Sequence, residues 1–273
     1  MTRRRVFFTH LMKTGGTSVV ESLEHGIEPA RTFPLPGSLD ARVDAKISAE
    51  VLLGTPPEVL AAIDCFSVHL PPWVGRAVAP DALQVVVVRE PVARTVSHLR
   101  HLARSENRKQ GLAGLYDDEL WRARLADYQT QILAASQAEY VRFRHEVETL
   151  RDNMSEDERA AFAEEIRRAV AAGHHYFPSS AIELPRAVTS DDVDAAIAVL
   201  DGMDVVGTTD DVGAFVAAVA RRCRRDLPAP RLTNEADSSD GVDPALLERI
   251  RSDVEADTVV YEHARRLAAR LRP

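Results

Sequence analysis

Val6-Phe7-Phe8-Thr9-His10 runs through Leu11 and Met12 straight into Lys13-Thr14-Gly15-Gly16-Thr17-Ser18. The first five residues are rich in β-branched and aromatic side chains and predict a strand. Val20, Leu23 and Ile27 then fall near one face at helical spacing and predict a helix. A glycine turn between a strand and a helix is suited to binding an anion. Glycines let the backbone approach a phosphate, the N–H groups of the first turn point at it, and the helix dipole favours negative charge. Thr17 and Ser18 add hydroxyl donors, and Lys13 supplies a mobile cation. Taken alone, Gly-Gly-Thr is explained equally well as an ordinary turn capped by Thr17. A Walker A loop is excluded, because its lysine follows the glycines. Here the lysine comes first and stands at the strand end.

Outward from this stretch, Cys65 to His69 predicts a second strand, stopped by Pro71 and Pro72. Leu83 to Val88 is nearly all apolar, as a central parallel strand buried on both faces would be. Arg89-Glu90-Pro91 ends it and opens a helix carrying Val92, Val96, Leu99 and Ala103, with Pro91 suited to the first turn. The residues from 28 to 57 hold several prolines and read mostly as loop. From Asp118 to Ala172 the pattern is helical throughout, with Trp121, Leu125, Tyr128 and Ile132 on one face and a capping box at Ser155 and Glu158. His174 to Pro185 reads as loop. Thr189 with Asp192 caps another helix, Val205 and Val206 predict a short strand, and Asp211 opens a further helix. Two helical segments close the chain, near Pro244 to Val254 and Thr258 to Leu271.

Strands alternating with helices predict an α/β fold with a parallel sheet. The expected architecture is P-loop-like: three layers, a central parallel sheet flanked by helices, and a helical insertion. One domain is expected over 1–273, with the insertion at about 104–186 on the acceptor side and C-terminal helices at about 242–273. Ligands of such sheets bind beyond the carboxyl ends of the strands. Lys13, His69 and Arg89 all fall at such ends.

The bulk composition narrows the function. The chain has 273 residues, 45% of them hydrophobic, and a net charge of −8. That charge argues against a general nucleic-acid binder, which needs a basic surface for counterion release. A locally basic pocket in an acidic chain remains compatible with an anionic ligand. No run of about 18 apolar residues is present, so no transmembrane segment is expected. Arg3 to Arg5 lead into too short an apolar run for a signal peptide. Cys65 and Cys223 are isolated and lack metal-ligand spacing; free thiols and a cytoplasmic location are expected.

Thr9 to Ser18 resembles the 5′-phosphosulfate loop of sulfotransferases that use 3′-phosphoadenosine-5′-phosphosulfate (PAPS). The nearest group by motif contains the heparan sulfate 2-O-sulfotransferases and bacterial relatives, whose loop usually reads hIPKTGGTS; Met12 stands where proline is usual. Val86 to His98 resembles the same family's 3′-phosphate segment, with Glu90 in place of aspartate. The resemblance implies that Lys13, Thr14, Gly15, Gly16, Thr17 and Ser18 hold the 5′ side of the co-substrate, while Arg89 and Ser97 hold its 3′-phosphate. It also implies Lys13 as a catalytic cation and His69 as the general base. His10, His98, the pair His174 and His175, and the carboxylates Glu21 and Glu24 are the rivals for the base. Asp127-Tyr128-Gln129-Thr130 is similar to the family's N-x-Q-T segment, expected either at the acceptor cleft or as a helix face with Tyr128 in the core. Val205 to Asp210 is similar to a VVGLTE strand and turn near the co-substrate, and Arg231 and Asn234 are candidates to close over it.

The function implied is sulfuryl transfer from PAPS, without a metal, to a hydroxyl of a carbohydrate, lipid or small-molecule acceptor. A P-loop-type ATP-dependent kinase and a non-catalytic nucleotide-binding protein are the alternatives. Neither the acceptor nor the oligomeric state is written in the sequence.

Overall fold

The computed structural model describes residues 3–33, 49–105, 111–138, 155, 187–231 and 241–271. Its centre is a five-stranded sheet in the order β2-β3-β1-β4-β5. The strands are β1 (Val6–Thr9), β2 (Thr32–Phe33), β3 (Cys65–Val68), β4 (Leu83–Val88) and β5 (Val205–Thr208). Every pairing is parallel, and Thr9 of β1 lies level with Val68 of β3 and Val86 of β4. All five strands therefore end on one edge, where His10, His69, Arg89 and Thr209 follow them.

Helices cover both faces of the sheet. The helices needed here are α1 (Gly16–Gly26), α2 (Ala49–Leu53), α3 (Pro57–Ala61), α4 (Pro72–Val78), α5 (Pro91–Ser105), α6 (Leu112–Tyr116), α7 (Glu119–Leu125) and α8 (Tyr128–Ala134). After them come α9 (Ser190–Asp201), α10 (Val212–Cys223), α11 (Pro244–Ser252) and α12 (Glu255–Ala268). The period-2 pattern of the strands decides the layers. Val6, Phe8, Val85 and Val87 pack with Val19 and Leu23 of α1 and with Phe215 and Val219 of α10. Val86, Val88 and Val206 face the other way, onto Ile132 of α8, Leu200 of α9 and Val260 of α12. Phe7, Phe66 and Val68 join them on that face against Val74 of α4. The result is the expected α/β three-layer arrangement. A satellite cluster joins Val96 and Leu99 of α5 to Leu115, Leu125 and Ile250. Among the described residues no helix is long and apolar enough to cross a membrane.

Two expectations are corrected. Within the proline-rich stretch from 28 to 57, the described residues hold β2 and α2 where loop was expected, α3 starts on Pro57, where a missing N–H is harmless, and residues 34–48 lie outside the described residues. The region expected to be helical from Asp118 onward is interrupted between α7 and α8, where Asp127 takes a φ of 43°. The supposed cap pairing Ser155 with Glu158, and the loop from His174 to Pro185, lie outside the described residues. The cap at Thr189 is present as a full capping box with Asp192. Asp211 caps α10 through the Ala214 N–H.

Candidate functional site

The loop between β1 and α1 is built to leave its donors open. Gly15 is the N-cap of α1 with a φ of 76°, and among the described residues no side chain caps this helix start. Lys13 also sits at positive φ, 66°. A long side chain in that region is strained by about 1 kcal/mol, and such strain gathers at functional sites. Arg89 Nη1 donates to the Lys13 carbonyl at 3.2 Å and so braces this conformation across the sheet edge. A Cβ on Gly16 would run into the His10 ring, which is itself packed between the rings of Phe8 and His69. The His10 ring lies against the first turn and leaves no room for a side chain.

The hydroxyls divide by role. Thr14 is buried and its Oγ1 donates to the Leu11 carbonyl at 2.9 Å, which holds the loop closed. Ser18 Oγ donates to the Arg231 carbonyl at 2.7 Å, so it ties the strand-free segment after α10 to the loop. That hydroxyl, expected as a phosphate donor, is engaged within the protein; what Ser18 offers a ligand is its N–H. Thr17, in the same turn, is exposed. Arg231 contributes through its backbone, and Asn234 lies outside the described residues.

Lys13 is half-buried, and its pKa is lowered first by burial, then by the positive charges of Arg104 and Arg89. Burial also lowers the Arg89 pKa, while Glu90 and Asp210 oppose the shift. Cations gathered this way in an acidic protein repel one another, and a bound anion relieves both that repulsion and the desolvation.

His69 follows β3 and packs its ring on that of His10, with centroids 4.1 Å apart. Its Nδ1 lies 2.5 Å from the His10 carbonyl oxygen. A carbonyl only accepts, so Nδ1 carries the proton and Nε2 is the basic nitrogen of the neutral ring. The rivals fare differently. His98 is buried on α5, and burial together with the charges of Arg94, Lys13, His101 and His69 holds its pKa well below the usual histidine range, a poor proton acceptor. Glu24 acts electrostatically on Cys65, at the opposite end of the strands from the loop. His174 and His175 lie outside the described residues.

The junction after β4 is fastened from several sides. Glu90 Oε1 and Oε2 accept from the N–H groups of Val92 and Ala93, so this residue caps α5. Gln129 of α8 grips the Arg89 backbone with its amide: Oε1 accepts from the Arg89 N–H at 2.9 Å and Nε2 donates to the Arg89 carbonyl at 2.9 Å. Asp257 of α12 in turn accepts from Gln129 N at 3.1 Å, Thr130 N at 2.7 Å and Thr130 Oγ1 at 2.8 Å. Arg94 is fully buried beneath, 4.5 Å from the Tyr128 ring, with Nη2 donating to the Leu125 carbonyl at 2.9 Å. Its charge faces that of Asp257. Ser97 is half-buried on α5 between buried Val96 and His98.

The Asp127-Tyr128-Gln129-Thr130 segment opens α8 with Tyr128 in the core, as the helix-face expectation had it. The Tyr128 hydroxyl accepts from the Met12 N–H at 3.4 Å, while Gln129 holds the backbone of Arg89 at the end of β4. No family model matches the chain, and no curated protein matches it. The site therefore rests on its own residues. What sequence reading missed are Gln129, Arg94 and Asp257 as a support. A glutamine and two charges at buried helical positions were the available signal.

Proposed function

We propose that the chain is a sulfotransferase that moves a sulfuryl group from PAPS to a hydroxyl of a carbohydrate, lipid or small-molecule acceptor. The observation that carries the reading is the coupling of two anion-binding elements. Arg89 reaches from the end of β4 to the carbonyl of Lys13 in a loop whose helix N–H groups are uncapped. The donor set suits a molecule with phosphates at two positions. Lys13 and the first-turn N–H groups match a 5′-phosphosulfate, and Arg89 offers a fork for a 3′-phosphate.

The co-substrate supplies a sulfuryl group whose transfer, like phosphoryl transfer, passes through a loose transition state. The acceptor oxygen forms a bond to sulfur as the bond from sulfur to the 5′-phosphate oxygen breaks. His69 Nε2 takes the acceptor proton. Lys13 and the N–H groups of the loop stabilise the charge left on the departing 3′,5′-diphosphate. Arg89, with Ser97 further along α5, selects a 3′-phosphorylated nucleotide.

The test is calorimetric binding of 3′-phosphoadenosine-5′-phosphate against ADP and ATP, in wild type and Arg89→Ala. Preference for the 3′-phosphorylated ligand, lost in the variant, supports the reading. Equal or better binding of ATP would sink it in favour of a kinase. Tight binding with no transfer to any hydroxyl in an acceptor screen would leave a binding protein.

A further inference from the structure

We infer that Gln129 is a positioning residue for phosphate recognition: its amide grips both backbone polar groups of Arg89 and so fixes where the Arg89 guanidinium reaches. The inference rests on the reading that Arg89 holds a 3′-phosphate.

Residue 89 stands where the sheet's hydrogen bonding has ended. Val88 is the last residue of β4, level with Thr208 of β5. The next N–H and carbonyl would face water or float. Instead both are taken by one side chain, 40 residues away in sequence and 1% exposed. A primary amide carries its acceptor and its donor on separate atoms, as a peptide group does, so it can accept from an N–H and donate to the carbonyl of the same residue at once. It acts here as one more rung of the sheet. A carboxylate can only accept, and an apolar side chain does neither.

The grip matters because the same residue's side chain braces the phosphate loop. Arg89 Nη1 reaches the Lys13 carbonyl, and Lys13 is held at positive φ. Rotation of the Arg89 peptide would carry the guanidinium away from Lys13 and release both anion-binding elements together. Gln129 is itself held. Its N–H and those of Thr130 converge on Asp257, which fixes the start of α8 against α12. The line of contact runs from Asp257 through Gln129 and Arg89 to Lys13.

The decisive variant is Gln129→Met, similar in shape and unable to make either bond. Thr130→Val is its control: it weakens the docking onto Asp257 and leaves the amide grip untouched. Two readouts are taken, exchange of the Arg89 amide hydrogen and the affinity ratio of 3′-phosphoadenosine-5′-phosphate to ADP. In Gln129→Met we expect Arg89 exchange to accelerate about tenfold or more, and the affinity ratio to fall by about 10- to 100-fold. In Thr130→Val the protein should lose stability and keep both values near wild type. Unchanged Arg89 exchange and an unchanged ratio in Gln129→Met overturn the inference. So does an equal fall of the ratio in both variants, which marks a merely structural role. Should Gln129→Met fail to fold, Gln129→Glu keeps the bond from the Arg89 N–H and loses the one to its carbonyl; an unaltered ratio there overturns the inference. If wild type itself does not discriminate the two nucleotides, the sulfotransferase reading falls, and the Arg89 exchange alone still decides the grip.

Discussion

The loop at Lys13 and the junction at Arg89 occupy neighbouring strand ends and are built in opposite ways. The loop is under-satisfied: its helix starts without a side-chain cap, and a lysine is held at positive φ. The junction is fastened from several sides: Glu90 caps the helix, Gln129 takes the backbone of Arg89, and Arg94 fills the space below with Nη2 bonded, though its Nε and Nη1 are buried without a hydrogen-bond partner among the described residues. A site that binds an anion needs both. Open donors supply attraction, and a rigid neighbour keeps them from collapsing onto the protein's own groups.

Substitutions at the two regions should therefore fail differently. Lys13→Ala should lower kcat by about 100-fold or more, the scale of removing one transition-state donor, with little loss of melting temperature. A large Tm drop would mean that the lysine is structural. Arg94→Leu should do the reverse. It removes the Nη2 bonds to the Leu125 carbonyl and Thr95 Oγ1 and the positive charge that faces Asp257, and should cost about 1–3 kcal/mol in denaturant unfolding. Stability within 1 kcal/mol of wild type would show the junction to be less determined than its contacts imply. Gly16→Ala drives a methyl into the His10 ring and should cost about 1–3 kcal/mol, with weakened nucleotide binding; unaltered binding would separate the loop from the site.

The smallest effect concerns Asp127. Burial raises its pKa to about 6, against hydrogen bonds from the backbone that lower it. Because the folded value lies above the unfolded one, the native state binds the extra proton. The stabilisation from protonation is full below about pH 4 and lost as pH rises through about 6. Asp127→Asn stays neutral, tolerates positive φ and keeps an acceptor for the Asp257 N–H. It should raise Tm by about 2–4 °C at pH 7.5, and the gain should vanish as pH falls toward 4. A gain independent of pH would place the cause elsewhere.

The same contrast explains what sequence could reveal. Runs such as Leu83 to Val88 and Val6 to Thr9 announce buried strands by composition, and the glycine turn between strand and helix announces an anion site. Lys13, His69 and Arg89 lie past the ends of β1, β3 and β4, on the edge that their places after the expected strands implied. β2 has two residues, too short for any period to register. The helices before β3 were hidden because proline was read as a breaker when, at Pro57, it starts a helix. Ser18 looked free to bind phosphate, since its partner Arg231 is 213 residues away. The role of Gln129 was hidden for the same reason: a side chain that completes a distant strand leaves no local pattern.

One feature of the fold bears on synthesis. Asp257, which fixes the start of α8, is 128 residues downstream of Gln129, and Tyr261 beside it donates to Asp210 at 2.7 Å. A nascent chain emerging N-terminus first displays the glycine loop, His69 and Arg89 long before α12 can dock. Until α12 leaves the ribosome, the sheet edge exists as sequence without its buttress. A chain interrupted between α11 and α12 would carry Lys13, His69, Arg89 and Gln129 and still lack the Asp257 contacts that fix the start of α8.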